Sequence, residues 1–167
     1  WHGGANIREE GVLGPDLLFV HGSAFTDLEL ELVREAGAGI SATPETELQM
    51  GMGFPVAHRA HAQGVRTGLG IDIVSNYSGD MFLPMRLALQ STRAPRNAEY
   101  EARKRAPSAL EPQAESVLRI ATIGGAEATH MPNGIGLPHA GKSAAIAPIS
   151  HPPSHTIRPA HSPHLPA

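Results

Sequence analysis

Two residues are best placed to do chemistry, a histidine and an aspartate. His21 ends the apolar run Asp16 to His21 (DLLFVH), and Asp72 ends the run GLGID. An apolar strand that closes on one ionisable side chain presents it at the mouth of a parallel sheet, where α/β proteins keep their reactive groups. A histidine and an aspartate make a proton-transfer pair and also a pair of metal donors. The bland reading of the same residues is a solvated strand end and a helix-capping carboxylate.

Three other patterns compete with this pair. Gly136 to Ser143 (GLPHAGKS) satisfies the spacing G-x-x-x-x-G-K-[ST] of a phosphate-binding loop. That loop works only between a strand and a long helix whose N–H groups hold the phosphates. Here ATHMPNGI precedes it and Pro148 follows soon after, so a chance match in a glycine-rich turn is the better reading. His58 and His61 are three apart and share a helix face. With Arg59 and Gln63 beside them, that face reads as solvated rather than chelating. The end of the chain, HPPSHTIRPAHSPHLPA, offers scattered histidines without the spacing of a defined site.

The elements that must position His21 and Asp72 read as βα units. A Gly-Pro turn precedes the first strand, Asp16 to His21. Thr26 and Glu29 have the spacing of a capping box, Leu28, Leu32 and Val33 form the inner face of the helix, and Gly37 stops it. Ala38 to Thr43 is a second strand and Pro55 to Gln63 a short helix closed by Gly64. Val65 to Ile71 is a third strand. Gly79 to Thr92 is a helix with Met81, Leu83, Met85, Leu87 and Leu89 as its apolar positions, and Asp80 is placed to cap it. Asn97 to Pro107 reads as a polar loop or a solvated helix end, and Pro112 to Ala128 as a last helix. The order β-α-β-α-β-α predicts an α/β fold with a parallel sheet. Three strands are far too few for an eight-stranded barrel of about 250 residues. They would also leave two unpaired edges through which an oligomer could form.

Composition narrows the class. The 167 residues carry 13 Lys and Arg against 16 Asp and Glu, a formal charge of -3, which disfavours a nucleic-acid partner. There is no cysteine, so disulfide frameworks, thiol nucleophiles and cysteine-based zinc sites are excluded. No apolar run approaches the roughly 20 residues of a membrane span. The first residue is Trp1, so the chain reads as part of something longer. The last acidic residue is Glu127, and proline and histidine dominate after residue 147. Residues 1–147 are therefore expected to form the folded domain and 148–167 a disordered tail.

The stretch from LLFVHGSAF to DMFLPMRLALQ resembles the amidohydrolase superfamily, above all its deaminase-like members acting on cytosine, chlorotriazines and adenosine derivatives. The order of pieces matches: a strand with His21, a helix, a strand followed by P-x-x-x-L-x-x-G, a helix, G-L-G-x-D, then D-M-F-x-x-M-R. Further on, VLRIATIGGAEA and NGIGLPHAGKSA resemble the family's L-x-x-A-T-x-x-G-A helix and its turn G-x-L-x-x-G-K-x-A-D. The likeness covers about residues 12–147. It implies a partial TIM-type (β/α) barrel, strands 6 to 8 with their helices, and a divalent metal, zinc or iron. Asp72 matches the metal-ligating, proton-shuttling aspartate after strand 8. His21 matches the strand 6 histidine, which contacts substrate or water or binds metal. His2 is the histidine available for the strand 5 ligand. The implied reaction is metal-dependent hydrolysis of a non-peptide C–N bond in a small heterocycle or amide, in the cytoplasm.

The chain also departs from the pattern. It contains no H-x-H pair for the first metal site. Where deaminases often show H-x-P-x-S-N, Ser41 to Glu47 reads SATPETE, with Ala42 and Glu47 in place of the usual polar groups. Ala145 replaces the aspartate of G-K-x-A-D. The chain alone is therefore expected to be catalytically incomplete. The alternative is a βα fragment that serves as an interaction module or has no function.

Overall fold

A computed structural model describes residues 8–73, 75 and 79–143. His2, the domain limit at residue 147 and the tail 148–167 lie outside the described residues.

The centre of the fold is a parallel sheet in the order β1-β2-β3, from β1 (Leu18–Val20), β2 (Gly39–Ala42) and β3 (Arg66–Leu69). Register pairs Phe19 with Ile40 and Ile40 with Thr67. The strands sit inside the three stretches expected from the sequence, each shorter at both ends. The α/β class and the parallel sheet are therefore as expected.

Between β1 and β2 runs α1 (Asp27–Ala36). Thr26 Oγ1 accepts from the Glu29 N–H at 3.2 Å, and Glu29 Oε2 accepts from the Thr26 N–H at 2.9 Å, closing the capping box. Gly37 ends the helix at φ 71, a left-handed cap that suits a residue without a Cβ. The inner face differs from the expected one. Leu30 and Val33 are buried, whereas Leu28 is 66% exposed. Glu29 is buried with them because its carboxylate is folded back onto the cap.

After β2 the chain forms a helix in a stretch to which the sequence assigns no element, α2 (Pro44–Gln49), with Pro44 in its first turn. Then comes α3 (Ala57–Ala62) and β3. Leu30, Val33, Ile40, Ala42, Val56, Ala57, Ala60 and Val65 form the core, with Phe19, Phe25 and Leu69 packed against it. Burying each large member stabilises the fold by roughly 1.5–3 kcal/mol. Phe19 and Phe25 meet edge to face at 5.3 Å.

Helix α4 (Phe82–Ala102) starts three residues later than expected, with Asp80 Oδ1 accepting from the Phe82 N–H at 2.8 Å. It then runs through Pro95 to Ala102, so the first part of the stretch expected to be a loop or a solvated helix end is the latter. A proline forfeits one backbone hydrogen bond, to the carbonyl four residues earlier. The residues beyond it favour helix, and Glu99 pairs with Arg103 across one turn at 3.7 Å. The last expected helix is three pieces: α5 (Ala114–Arg119), a π-helical turn (Ile120–Gly124) and α6 (Gly125–Ala128). Their packing needs glycine. A Cβ on Gly124 would lie 2.3 Å from Thr67 O, and one on Gly39 would lie 2.4 Å from Ala128 O. The wide turn delivers Gly124 against the backbone of β3.

Candidate functional site

The site is built at the carboxyl ends of the three strands. The ladder between β1 and β2 is extended by the His21 N–H, which donates to Ser41 O at 2.9 Å. His21 then takes a left-handed conformation, φ 72, and Gly22 follows at φ 89. This turn ends the strand, and the ring makes its contacts with residues that follow β2. Nδ1 of His21 lies 2.7 Å from Thr43 Oγ1 and 3.6 Å from Glu47 Oε1. The histidine side chain is 26% exposed and the glutamate side chain is fully buried.

Thr43 and Glu47 are positioned by the start of α2. Thr43 is its cap residue, and Glu47 reaches back so that Oε1 accepts the Thr43 N–H at 2.9 Å. One carboxylate oxygen thus ties the helix start to the histidine. Burial pushes the Glu47 carboxyl above its ordinary value, partly offset by the Thr43 N–H and by nearby His21 and Ser23. Ser23 Oγ and Glu47 Oε2 are also buried at this end of the sheet, and neither makes a well-formed hydrogen bond among the described residues.

At the far side of the sheet the Gly70 N–H donates to Ala42 O at 2.8 Å and extends the β2–β3 ladder. Asp72 follows in the left-handed region at φ 70. It is exposed, and among the described residues it makes no hydrogen bond or ion pair. His21 and Asp72 therefore occupy the strand ends expected for them, with β2 between. The structure joins His21 to Thr43 and Glu47 rather than to Asp72. In the sequence Glu47 stands out only as a departure from the family pattern, and Thr43 only as the end of the second strand. The available signal was T-P-E-T-E directly after a strand: proline opens a helix, and a glutamate four residues after the cap threonine can fold back on it.

The competing patterns stay outside this cluster. Lys142 Nζ donates to Pro132 O, and the Ser143 N–H donates to Gly134 O at 2.8 Å, so the Gly-Lys-Ser turn closes on itself. His58 has a buried Nδ1 with no hydrogen-bond partner among the described residues, and burial lowers its pKa, with Arg96 and His61 adding to the effect. A protein-bound zinc takes three or four side-chain donors. Among the described residues, no three His, Asp or Glu side chains converge to hold one. The described part of the chain does not fit a complete metal site.

Comparison with known proteins decides the family. The model of the amidohydrolase family matches residues 5–163. The chain belongs to the amidohydrolase family. It is 31% identical over 169 residues to a 5-methylthioadenosine/S-adenosylhomocysteine deaminase from Syntrophobacter fumaroxidans, covering 95% of this chain and 36% of that protein. It is 32% identical to a 5'-deoxyadenosine deaminase from Methanothermobacter thermautotrophicus, covering 90% of this chain and 35% of that one. Among solved structures, this amidohydrolase is similar to a zinc-bound adenosine deaminase from Xanthomonas campestris, with a TM-score of 0.67, 30% identity, and coverage of 84% of this chain and 30% of that one. A zinc complex of atrazine chlorohydrolase from Arthrobacter aurescens gives a TM-score of 0.66 at 25% identity, over 83% of this chain and 29% of that one. The chain thus spans about a third of the length of the relatives it matches.

Proposed function

We propose that this chain is the strand 6 to 8 portion of a metal-dependent hydrolase that cleaves a non-peptide C–N bond, most simply by deamination. In this reading residues 1–147 form the partial barrel and 148–167 an appended tail. The observation that carries it is the placement of His21 and Asp72. Both stand at carboxyl ends of parallel strands, in a chain that aligns over nearly all its length with a deaminase.

The two residues take different parts. Asp72 is an exposed carboxylate, free to accept a proton or to serve as one donor to a cation. His21 is held against Thr43 and Glu47 and offers its other ring nitrogen to a water or a substrate. Zinc is present in the Xanthomonas and Arthrobacter relatives, and a bound divalent ion supplies an activated water. His21 and Asp72 are too few donors for it, so the remaining ligands must come from residues other than those described. A small heterocycle bearing an amino group, or an amide, is the substrate class.

The test is metal content and turnover of the purified 167-residue chain with 5'-deoxyadenosine, S-adenosylhomocysteine and atrazine. The expected result is substoichiometric metal and no turnover. A second arm fuses the chain behind the preceding barrel segment of the Syntrophobacter relative. That fusion should gain turnover and lose it with Asp72→Asn. Stoichiometric zinc or iron in the isolated chain, with turnover abolished by Asp72→Asn, would overturn the incomplete-site reading. A well-folded fusion inactive on every substrate would count against the hydrolase reading itself.

A further inference from the structure

Glu47 is fully buried, yet its carboxylate engages a residue on another strand end. Capping α2 explains one contact, the Thr43 N–H at 2.9 Å. It does not explain why the same oxygen lies 3.6 Å from His21 Nδ1, or why that nitrogen also meets Thr43 Oγ1 at 2.7 Å. A glutamate that served only as a cap could remain at the surface, where carboxylates avoid desolvation.

We propose that Glu47 is a positioning residue for His21: with Thr43 it holds the imidazole in the tautomer that carries its proton on Nδ1, leaving Nε2 as the free acceptor nitrogen. The inference rests on the reading of His21 as a site residue. A neutral imidazole has one donor and one acceptor nitrogen, and the partner of one decides what the other can do. If Nδ1 carried no proton, its lone pair would face a carboxylate oxygen, which is repulsive. If it carries the proton, the hydrogen lies between a hydroxyl oxygen and a carboxylate oxygen, both acceptors. Thr43 alone could satisfy either tautomer, because a hydroxyl both donates and accepts. Only the carboxylate breaks the tie. Among the described residues Nε2 makes no hydrogen bond, so it is the nitrogen left for water, substrate or a cation. Carboxylate–histidine pairs of this kind fix ring orientation and basicity in many reactive sites.

The left-handed turn at His21 makes the arrangement possible. The ring crosses from the end of β1 to the residues after β2 because the backbone turns at φ 72 directly after the ladder bond to Ser41 O. Glu47 lies one helical turn into α2 and reaches back to His21 Nδ1. Two local features with separate sequence causes therefore meet at one nitrogen.

The experiment is long-range ¹H–¹⁵N correlation NMR on the full 167-residue chain labelled with ¹⁵N-histidine, with His21 assigned by His21→Gln. At a pH where the ring is neutral, His21 is expected to be the Nδ1–H tautomer. Glu47→Gln keeps an amide oxygen for the Thr43 N–H but removes the charge. It should lower the ratio of Nδ1–H to Nε2–H about tenfold, with a dispersed backbone spectrum showing an intact fold. Thr43→Val should leave Nδ1–H in the majority. Three results would overturn the proposal: an Nε2–H tautomer in the unaltered chain, an unchanged ratio in folded Glu47→Gln, or loss of the preference in Thr43→Val alone. If Glu47→Gln fails to fold, the unaltered chain and Thr43→Val still decide it. Turnover of the fusion protein is a separate measurement. A correct tautomer with an inactive fusion would leave the positioning role standing and remove the hydrolase reading.

Discussion

His21 and Asp72 end parallel strands in nearly the same backbone conformation, at φ 72 and φ 70, but their surroundings are opposite. The end of β1 is a built cluster in which histidine, threonine and buried glutamate share one nitrogen and one helix start. The end of β3 is an exposed carboxylate with no partner among the described residues. Like backbones with unlike surroundings suggest unlike duties. A group that must be oriented needs neighbours within its own chain. A group that must engage something external needs to be left open, and Asp72 is.

The strongest way to break this contrast is to truncate both ends and compare stability. Glu47→Ala removes a fully buried side chain, opens a cavity and leaves the Thr43 N–H without its acceptor. Relief of the buried carboxyl opposes this, but Thr43 and His21 already offset part of that burden. The expected net loss is about 2–3 kcal/mol in urea unfolding. Asp72→Ala should stay within about 0.5 kcal/mol, as surface changes do. Equal losses would show that Asp72 has structural partners after all.

How much of this was legible in the sequence follows the same division. Features set by neighbours in the chain could be read directly. Thr26 and Glu29 close the capping box, Asp80 caps α4, and apolar runs mark all three strands. Features set by contacts between elements could not. Leu28 and Leu30 both fit a helical apolar stripe, and only packing against Ile40 and Val65 selects Leu30. Pro95 signals a helix end locally, yet α4 passes through it. Glu47 reads as one more acidic residue until the left-handed turn brings His21 to it. The placement of His21 and Asp72 was legible because strand ends are. The Thr43–Glu47 support was not, because it depends on where β1 stops relative to α2.

A smaller effect comes from relieving the left-handed residues. Asp72→Gly removes a Cβ from a conformation that costs little for aspartate and nothing for glycine, so stability should rise by about 0.5 kcal/mol or less. His21→Gly relieves a similar strain, but it strips Thr43 Oγ1 and Glu47 of their shared partner. It should lower stability by about 1 kcal/mol in the same unfolding measurement. Opposite signs at matching φ would sharpen the contrast, and two gains would mean that the His21 contacts contribute no net stability.

The smallest effect uses a histidine away from both strand ends. His58 on α3 has its pKa lowered by burial first, then by Arg96 and His61, with Glu111 pulling the other way. A histidine harder to protonate in the folded state than in the unfolded one binds fewer protons when folded. Its favourable contribution is present above the unfolded value of about 6.5 and is lost as pH falls through the lowered folded value. The unaltered chain should therefore lose stability on acidification more steeply than His58→Gln, and the two should run parallel above neutrality. Urea midpoints from pH 8 down to pH 5 check this. The gap should remain small because the ring is only partly withdrawn from water. Parallel curves across the whole range would place His58 on a solvated face. His21 would then be the histidine with the stronger claim to a constrained environment.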